Sequence, residues 1–505
     1  MPYVNKILRF INKNRLQKIN FFVKHPYDVQ DMQLKALLTA ARNTEWGRKF
    51  KYTEINSIEE YQKRVGIQKY EELTQFIVRI REGEQNILWP TPIKWFAKSS
   101  GTTNDKSKFI PVSSESLKLC HYQGGKDVVS LYNKNYPENK LLTGKTLTLG
   151  GSYQNDQFNR NSLTGDLSAI MIKNLPFWVN FIRSPIAKIA LIPKWEDKLD
   201  KLCRITVRQD ITALAGVPSW NLVMIKYILE YTGKKHLLEI WPNLELFMHG
   251  GVNFSPYLEQ FKQVIPSDKM HYMETYNASE GFFAIQDSPS DPALLLMLDY
   301  GIFYEFVPID QLQIGNPKAL HIGEVQTGVN YALVLSTNGG LWRYLIGDTI
   351  MFTSLFPHKV IVTGRTKHFI NAFGEELIID NADKALLAAC NATGALIHEY
   401  TAAPVYMKTN AKGCHEWCIE FEREPDNMNE FIFVLDQTLM NLNSDYEAKR
   451  YNNITLDLPV LSNLKKGTFY RWFRDKGKLG GQNKIPRLSN DRKYAEELLK
   501  LNDDI

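Results

Sequence analysis

The sequence has few cysteines and no long apolar run, and both absences exclude classes of protein. Only five of its 505 residues are cysteines, an odd number at irregular spacing, and the N-terminus lacks the apolar core of an export signal. This pattern excludes a disulfide framework and favours free thiols in a cytoplasmic protein. No segment reaches the roughly 18 consecutive apolar residues of a membrane-spanning helix, so we predict no transmembrane segment.

The chain also lacks the short motifs of several common enzyme classes. The two nearest matches to a P-loop fail, because asparagine stands at position 139 and lysine at position 106 where the motif needs glycine. There is no G-x-G-x-x-G at a strand-to-helix junction, no H-E-x-x-H and no G-x-S-x-G. Any nucleotide site in this chain must therefore use other residues.

One short cluster, CHEWC at 414–418, has side chains that could bind a metal ion. Cys414, His415 and Cys418 are close in sequence, but a second pair of ligands is not evident, and a structural zinc site needs four ligands. A buried strand is the alternative interpretation, and we favour it.

Basic residues exceed acidic ones by six, and part of the excess lies in two segments. Residues 1–24 carry six basic side chains, no acidic ones, and apolar residues at helical spacing. Such a helix either docks on its own protein, which we favour, or lies on an anionic membrane. Residues 464–487 combine eight basic residues with aromatics. They suit an anionic small molecule or nucleic acid, but no nucleic-acid-binding motif accompanies them, and we predict no nucleic-acid partner.

The apolar patterning predicts a mixed α/β protein. Short apolar runs ending in polar turns predict strands, and a boundary near 364–367 divides a large domain, 1–364, from a small one, 365–505. Helical spacing covers 35–44, 58–65, 113–132 and 196–232, the last broken near Gly216 and Pro218. Predicted strands lie within 146–152, 244–253, 271–286 and 331–354.

A loop rich in hydroxyl groups and lysines occurs at 99–108, SSGTTNDKSK. Backbone N–H groups and hydroxyls donate to phosphate oxygens, and glycine allows the backbone to approach closely, so the loop suits a phosphate chain. A polar turn between two strands is the alternative. Further polar segments follow in a fixed order: HGGVN (249–253), YNASE (276–280), WRYLIGD (342–348), GRTKHFINAFGEE (364–376) and GGQNKIPR (480–487).

In this order, these segments resemble the GH3 acyl-acid amido synthetases, a branch of the adenylate-forming ANL superfamily. Residues 25–50 also resemble that family's N-terminal region, and the chain is identified as a bacterial-type member. The resemblance implies a large N-terminal domain of mixed β-sheets and a β-barrel with helices. It also implies a small, mobile α+β domain at the C-terminus.

The resemblance implies an ATP site built from four of these segments. Tyr276 matches the residue that stacks on adenine, and Asp348 matches the carboxylate that accepts both ribose hydroxyls. Ser279 stands near the α-phosphate, and Arg365 near the ribose and phosphate. The other implied ATP-binding residues are Ser99, Ser100, Gly101, Thr102, Thr103 and Lys108 of the phosphate loop, and Asn277 and Ala278 beside Tyr276.

The remaining implied roles concern the chemistry. Glu280 holds Mg²⁺, and Lys484 neutralises the substrate carboxylate and the α-phosphate during adenylation. Gly250, Gly251 and Val252 line the acyl or adenine pocket. Each residue alone also has a structural interpretation, such as a turn residue or a core aromatic.

The implied reaction activates a small carboxylic acid with ATP and transfers the acyl group to an amine, an amino acid. Two alternatives stay open: an acyl-coenzyme A ligase, and a non-catalytic protein that binds nucleotide or acyl acid. Asn104-Asp105 replaces a usual glycine and favours the non-catalytic alternative, and Leu345 replaces an arginine common in plant members. Aromatic residues such as FWVNF at 177–181 favour an aromatic or apolar acid.

Overall fold

The structure is a computed structural model with many helices around several sheets. It describes residues 2–99, 108–156, 158–251, 254–312, 317–365, 369–370, 377–405, 413–443, 446–447, 450, 456–477, 479, 485–489 and 491–504. The helices are α1 (Pro2–Lys24), α2 (Pro26–Ala41), α3 (Glu45–Lys49), α4 (Ile58–Arg64), α5 (Tyr70–Glu82), α6 (Tyr122–Asn135), α7 (Leu167–Asn174), α8 (Ala187–Ala190), α9 (Trp195–Thr206), α10 (Pro218–Thr232), α11 (Leu258–Val264), α12 (Ile379–Thr393), α13 (Met428–Leu442), α14 (Thr468–Asp475) and α15 (Lys493–Asp503).

The strands form four sheets within the described residues. They are β1 (Trp95–Ser99), β2 (Lys108–Val112), β3 (Lys145–Thr148), β4 (Tyr153–Asn155), β5 (Leu163–Gly165), β6 (Arg183–Ser184), β7 (Ile211–Gly216), β8 (Leu246–Gly250), β9 (His271–Ala278), β10 (Gly281–Gln286), β11 (Leu294–Leu296), β12 (Ile302–Pro308), β13 (Asn330–Thr337), β14 (Tyr344–Leu355), β15 (His358–Arg365), β16 (Phe369–Ile370), β17 (Leu377–Ile378), β18 (Leu396–Val405), β19 (Cys414–Arg423) and β20 (Val460–Leu464).

One sheet of eleven strands dominates the molecule, in the order β12-β13-β14-β15-β11-β10-β9-β8-β7-β3-β6. Its β6-β3-β7-β8-β9 half is parallel, and its other half is antiparallel. The sheet is open in the described chain, because β12 and β6 are its two ends and do not pair. The expected β-barrel is therefore not seen: the antiparallel strands continue the parallel half instead of closing on themselves.

The prediction of helix across 196–232 is wrong in its middle. The segment contains α9 and α10, but 211–216 forms strand β7, which pairs with β3 and β8. Ile211, Ala213 and Leu214 are fully buried there. A strand covered on both faces has an apolar run without alternation, and such a run resembles a buried helix.

Other local predictions are confirmed. Helix α4 begins after Ser57, whose hydroxyl caps it by accepting from the backbone N–H of Glu60 at 3.2 Å. Ser113 accepts from the backbone N–H of Ser116 at 2.9 Å, at the start of a π-helical turn that leads into α6. Cys414 and Cys418 lie in the buried strand β19, as favoured above.

The basic N-terminal helix docks on its own protein. Ile19 and Phe22 of α1 are buried in the main core. Arg15 forms ion pairs with Asp127 on α6, at 2.7 Å, and with Asp299 before β12. The described part of this helix is therefore a structural element, which agrees with the favoured interpretation. No helix in the described chain combines the length and apolar character that a membrane crossing needs.

The C-terminal residues form a smaller unit with its own core. Sheet β18-β19-β20 packs with α12 and α13 around residues that include Trp417 and Phe431. The side chain of Gln260 donates to the carbonyl of Ile397 at 2.7 Å, and Arg487 donates to the hydroxyl of Tyr257 at 2.8 Å. Phe469, Trp472 and Phe473 of α14 are buried, so these aromatics of the basic segment are not available to stack on bases.

A buried ion pair fixes the start of β14. Arg343 donates through Nε to Glu305 at 2.9 Å, and both side chains are at most 5% exposed. Its Nη1 also donates to the carbonyls of Gln62 and Val65, which tie α4 to the sheet.

We expect Glu305→Ala to destabilise the fold strongly, because it leaves the guanidinium of Arg343 buried without its counter-charge. The loss in free energy of unfolding should be about 3–5 kcal/mol, measured by chemical denaturation. Asp31→Ala, which removes the partner of the exposed Lys35 at 2.7 Å, is the control and should cost less than about 1 kcal/mol. Similar losses in both variants would contradict the role given to the buried pair.

Candidate functional site

Several predicted site residues whose positions are described lie where the main sheet changes from parallel to antiparallel. Strands β3, β7, β8 and β9 run in parallel, so their carboxyl ends share one edge. Gly250 ends β8, while Tyr276, Asn277 and Ala278 end β9. Ser279 and Glu280 form the turn into β10. Carboxyl ends of parallel strands are a common place for ligand sites in α/β proteins.

A direct contact joins two of the predicted nucleotide-binding residues. The hydroxyl of Tyr276 donates to Oδ2 of Asp348 at 2.8 Å, across 72 positions in sequence. Asp348 is also the register partner of Arg365 in the antiparallel pair β14–β15. The fold therefore gathers three segments that the sequence keeps apart: the ends of β9 and β15, and the first half of β14.

The phosphate loop closes a hairpin whose two ends are described. Ser99 ends β1 and Lys108 begins β2, and the two residues are register partners. The Nζ of Lys108 is 3.2 Å from the hydroxyl of Tyr344 at the start of β14. The hydroxyl of Tyr70 accepts from the backbone N–H of Phe109 at 2.7 Å. The hairpin base is thus fixed to both the sheet and α5.

Glu280 lies close to this hairpin base. The side chain of Glu280 is buried. The pKa of Tyr70 is raised, chiefly because the Tyr70 hydroxyl is itself buried, and the negative charge of Glu280 raises it further. The described residues contain no group of three or more acidic, histidine or cysteine side chains that could hold a metal ion. A single carboxylate beside bound phosphates fits Mg²⁺, which takes one or two protein carboxylates and completes its shell with substrate oxygens and water.

Gly250 allows β8 and β9 to approach each other closely at the site. A Cβ at this position would lie 2.3 Å from the backbone oxygen of Thr275 and 3.3 Å from Oδ1 of Asn277. The next residue, Gly251, has φ +83°, which side chains rarely adopt. Both glycines are thus required by the backbone at the turn after β8.

Two titratable side chains near this edge have strongly altered acidity. Burial raises the pKa of Glu274, two residues before Tyr276, to about 7, and lowers that of its register partner His249 to about 3. The Nδ1 of His249 has no hydrogen-bond partner in the described structure. Neither residue was predicted, because isolated acidic and histidine residues in apolar strands give no sequence signal.

A buried lysine lies at the end of β3. The Nζ of Lys198 donates to the backbone carbonyls of Gly150 and Gly151. Burial lowers its pKa to about 8, and the opposite charge of Asp166 partly offsets that effect. Asp166 accepts from the backbone N–H of Ser152 at 2.8 Å. Lys198 and Asp166 thus hold the turn that follows β3, at the carboxyl edge of the sheet.

Several predicted residues lie outside the described residues, so their positions stay predictions. They are Ser100, Gly101, Thr102, Thr103, Val252 and Lys484, and the side chains of Ser99 and Arg365. Tyr344 was missed although it stands within WRYLIGD, since the motif gave no sign that its hydroxyl contacts Lys108. Leu345, which stands where an arginine is common in plant members, packs against an apolar cluster that includes Val307.

The fold is similar to that of ANL adenylating enzymes. The chain superposes on 2-hydroxyisobutyryl-CoA ligase in its postadenylation state with a TM-score of 0.61, at 10% identity over 94% of this chain and 92% of that one. It superposes on the GH3.15 acyl acid amido synthetase with a TM-score of 0.80, at 18% identity over 97% and 95% of the two chains.

The sequence narrows this class to one family. The models of the GH3 family N-terminal, central and C-terminal domains match residues 15–270, 295–365 and 380–493. The chain therefore belongs to the GH3 family. It is 23% identical to the indole-3-acetic acid-amido synthetase GH3.3 of Arabidopsis thaliana, over 95% of this chain and 91% of that protein. The bacterial type of the chain stays a prediction.

We expect Gly250→Ala to weaken both the fold and the nucleotide site, because the added Cβ meets the backbone of Thr275. Strain of this kind should lower the free energy of unfolding by about 1–3 kcal/mol and weaken ATP binding, measured by denaturation and calorimetry. In the control Gly125→Ala, on α6, the added Cβ meets nothing within 4 Å. That change should stabilise the helix by about 0.5–1 kcal/mol. A neutral Gly250→Ala would refute the close approach.

The raised pKa of Glu274 predicts a pH-dependent stability. The folded state binds this proton more tightly than the unfolded state, whose carboxyl titrates near 4.5. The contribution of Glu274 to stability is thus greatest below pH 4.5 and is lost as pH rises through about 7, by at most about 3 kcal/mol. Glu274→Gln should flatten this decline in denaturation curves taken from pH 4.5 to 8. An unchanged slope in the variant would assign the decline to other groups.

Proposed function

We propose that this chain is an ATP-dependent acyl-acid amido synthetase. It activates a carboxylic acid as an acyl-adenylate, releases pyrophosphate, and transfers the acyl group to an amino acid. The contact between Tyr276 and Asp348 carries the proposal, because it joins the adenine-stacking and ribose-binding residues implied by the family. GH3 family members are acyl acid–amino acid ligases, and the similar proteins GH3.3 and GH3.12 are named an indole-3-acetic acid-amido synthetase and a 4-substituted benzoates-glutamate ligase.

The first step needs repulsion between two anions to be overcome. A substrate carboxylate oxygen attacks the α-phosphorus of ATP, and pyrophosphate leaves. In our proposal, the loop that begins at Ser99 donates to the β- and γ-phosphates, and Lys108 adds positive charge at its base. Glu280 would hold Mg²⁺, which supplies charge neutralisation to the phosphates when it is bound.

The nucleotide is oriented by the sheet edge. Tyr276 stacks on adenine, while Asp348 accepts the ribose hydroxyls as a double acceptor. In the structure, Asp348 already accepts from Tyr276, so its carboxylate is oriented before ATP binds. In our proposal Arg365, the backbone register partner of Asp348, binds the ribose and phosphate. Such positioning supplies much of the rate, since no covalent enzyme intermediate is needed.

In the second step an amine displaces AMP from the acyl-adenylate. The amine attacks the acyl carbon, AMP leaves, and the ammonium proton must be lost. We propose that residues 365–505 rotate relative to 1–364 between the steps, which removes Lys484 after adenylation. The contacts of Gln260 with Ile397 and of Arg487 with Tyr257 would break in that rotation.

ATP–pyrophosphate exchange with a panel of carboxylic acids tests the first step. We expect exchange that requires one class of acid and falls by about 10²-fold or more in Lys484→Ala, because the charge that opposes repulsion is lost. Lys476→Ala, which removes an exposed lysine paired with Glu497 at 2.9 Å, is the matched control and should keep full exchange.

The acceptor separates the competing functions. An amide that forms with amino acids, and no thioester with coenzyme A, would support the synthetase. A thioester instead of an amide would establish an acyl-coenzyme A ligase. ATP binding without exchange for any acid would favour a non-catalytic binding protein, and full exchange in Lys484→Ala would contradict the role given to that lysine.

A further inference from the structure

Large apolar side chains are exposed at the edge of the main sheet that ends in β6. They lie within ten residues, 177–186, which we call the 177–186 surface. The exposed fractions are 79% for Phe177, 50% for Trp178, 72% for Phe181, 38% for Ile182 and 49% for Ile186. The phenylalanines therefore do not line an enclosed acyl pocket, in contrast to the expectation from the sequence. Contiguous exposed apolar side chains of this size mark interaction surfaces.

The backbone of this surface is fixed to the sheet. Residues 177–181 form a 3₁₀ turn, in which the N–H of Val179 donates to the carbonyl of Pro176 at 3.0 Å. The carbonyl of Ile182 accepts from the N–H of Thr146 on β3 at 2.9 Å. The turn is thus held in place by the edge of the sheet, while its rings extend into water.

Lysines lie on both sides of these rings in the sequence. Residues 167–195 contain Lys173, Arg183, Lys188 and Lys194, while Asp166 precedes this stretch, Glu196 and Asp197 follow it, and Lys194 forms an ion pair with Asp197 at 3.4 Å. The three lysines are exposed, and α8, which carries Lys188, packs against α7 and α9 on either side of it in sequence. Exposed cations thus flank exposed aromatics along a continuous stretch of chain.

We propose that the 177–186 surface docks on an anionic lipid bilayer. Phenylalanine and tryptophan rings partition into the headgroup region, and neighbouring lysines attract anionic headgroups. A second copy of this chain fits less well, because a two-fold interface would bring the same lysines against one another. The binding is peripheral, and it is independent of the proposed ligase activity.

Trp178 provides a probe that is specific for this surface. Among the described tryptophan side chains it is the one that is exposed, whereas Trp46, Trp89, Trp241, Trp342, Trp417 and Trp472 are buried. The full-length protein is mixed with vesicles of phosphatidylcholine, or of phosphatidylcholine with phosphatidylglycerol, that carry brominated acyl chains. We expect fluorescence quenching with the anionic vesicles, absent in Trp178→Phe.

Flotation with the same vesicles measures the contribution of each group. Phe177→Ser/Phe181→Ser should lower partitioning by at least about tenfold, since both rings lose their apolar contact. Lys173→Gln and Lys188→Gln should each lower it by about fivefold. Phe356→Ser/Phe433→Ser removes two phenylalanines that are 76% and 58% exposed elsewhere, and it should leave partitioning unchanged. Thermal unfolding confirms that each variant is folded.

Three results would overturn the proposal. One is no partitioning to anionic vesicles, or equal partitioning to neutral ones. Another is binding that survives Phe177→Ser/Phe181→Ser or gives no quenching of Trp178, because a different surface would then bind the lipid. The third is a concentration-dependent dimer that the same double variant abolishes, which would assign the surface to a second copy.

Discussion

The hydrogen bond between Tyr276 and Asp348 connects the two halves of the main sheet at the place where the candidate site lies. Tyr276 belongs to the end of the parallel half, and Asp348 to the antiparallel half. Parallel strands present their carboxyl ends at one edge, whereas Asp348 lies in the antiparallel pair β14–β15. A nucleotide that contacts both needs their relative position to be fixed, and this side-chain contact contributes to that.

Buried ion pairs fix the positions of further elements of the large domain. Arg343 and Glu305 fix the start of β14, where Tyr344 meets Lys108. Arg15 with Asp127 and Asp299 attaches the N-terminal helix to the main core. Removing one partner of such a pair leaves a buried charge, so the pairs specify one arrangement even where their net contribution to stability is modest. The helix therefore uses at least one of its cations for attachment.

The sequence predicted local structure well where apolar residues recur at helical spacing, as in 58–65, which contains α4 (Ile58–Arg64). The prediction failed at β7, because burial on both faces removes the alternation that identifies a strand. The closed barrel, which the family resemblance implied, is not seen, and pairing between strands far apart in sequence leaves no local signal from which to check it. The candidate site residues were predicted from the order of six motifs, not from the chemistry of any one of them. Lys198 and Glu274 were not predicted, because burial, which a sequence does not display, is the main cause of their altered acidity.

The replacement of glycine by Asn104-Asp105 does not by itself argue against phosphate binding. Lys98, Lys106 and Lys108 surround the single acid Asp105 in sequence, so this stretch keeps a net charge of +2, three lysines minus one aspartate. The hairpin base is set by the register of Ser99 with Lys108 and by the contact of Lys108 with Tyr344, neither of which involves the replaced positions. Asparagine and aspartate also adopt left-handed backbone more readily than other residues with a side chain. The substitution thus adds a negative charge to the loop but leaves the contacts of the hairpin base unchanged. The net charge of the stretch stays positive, so it still attracts a triphosphate.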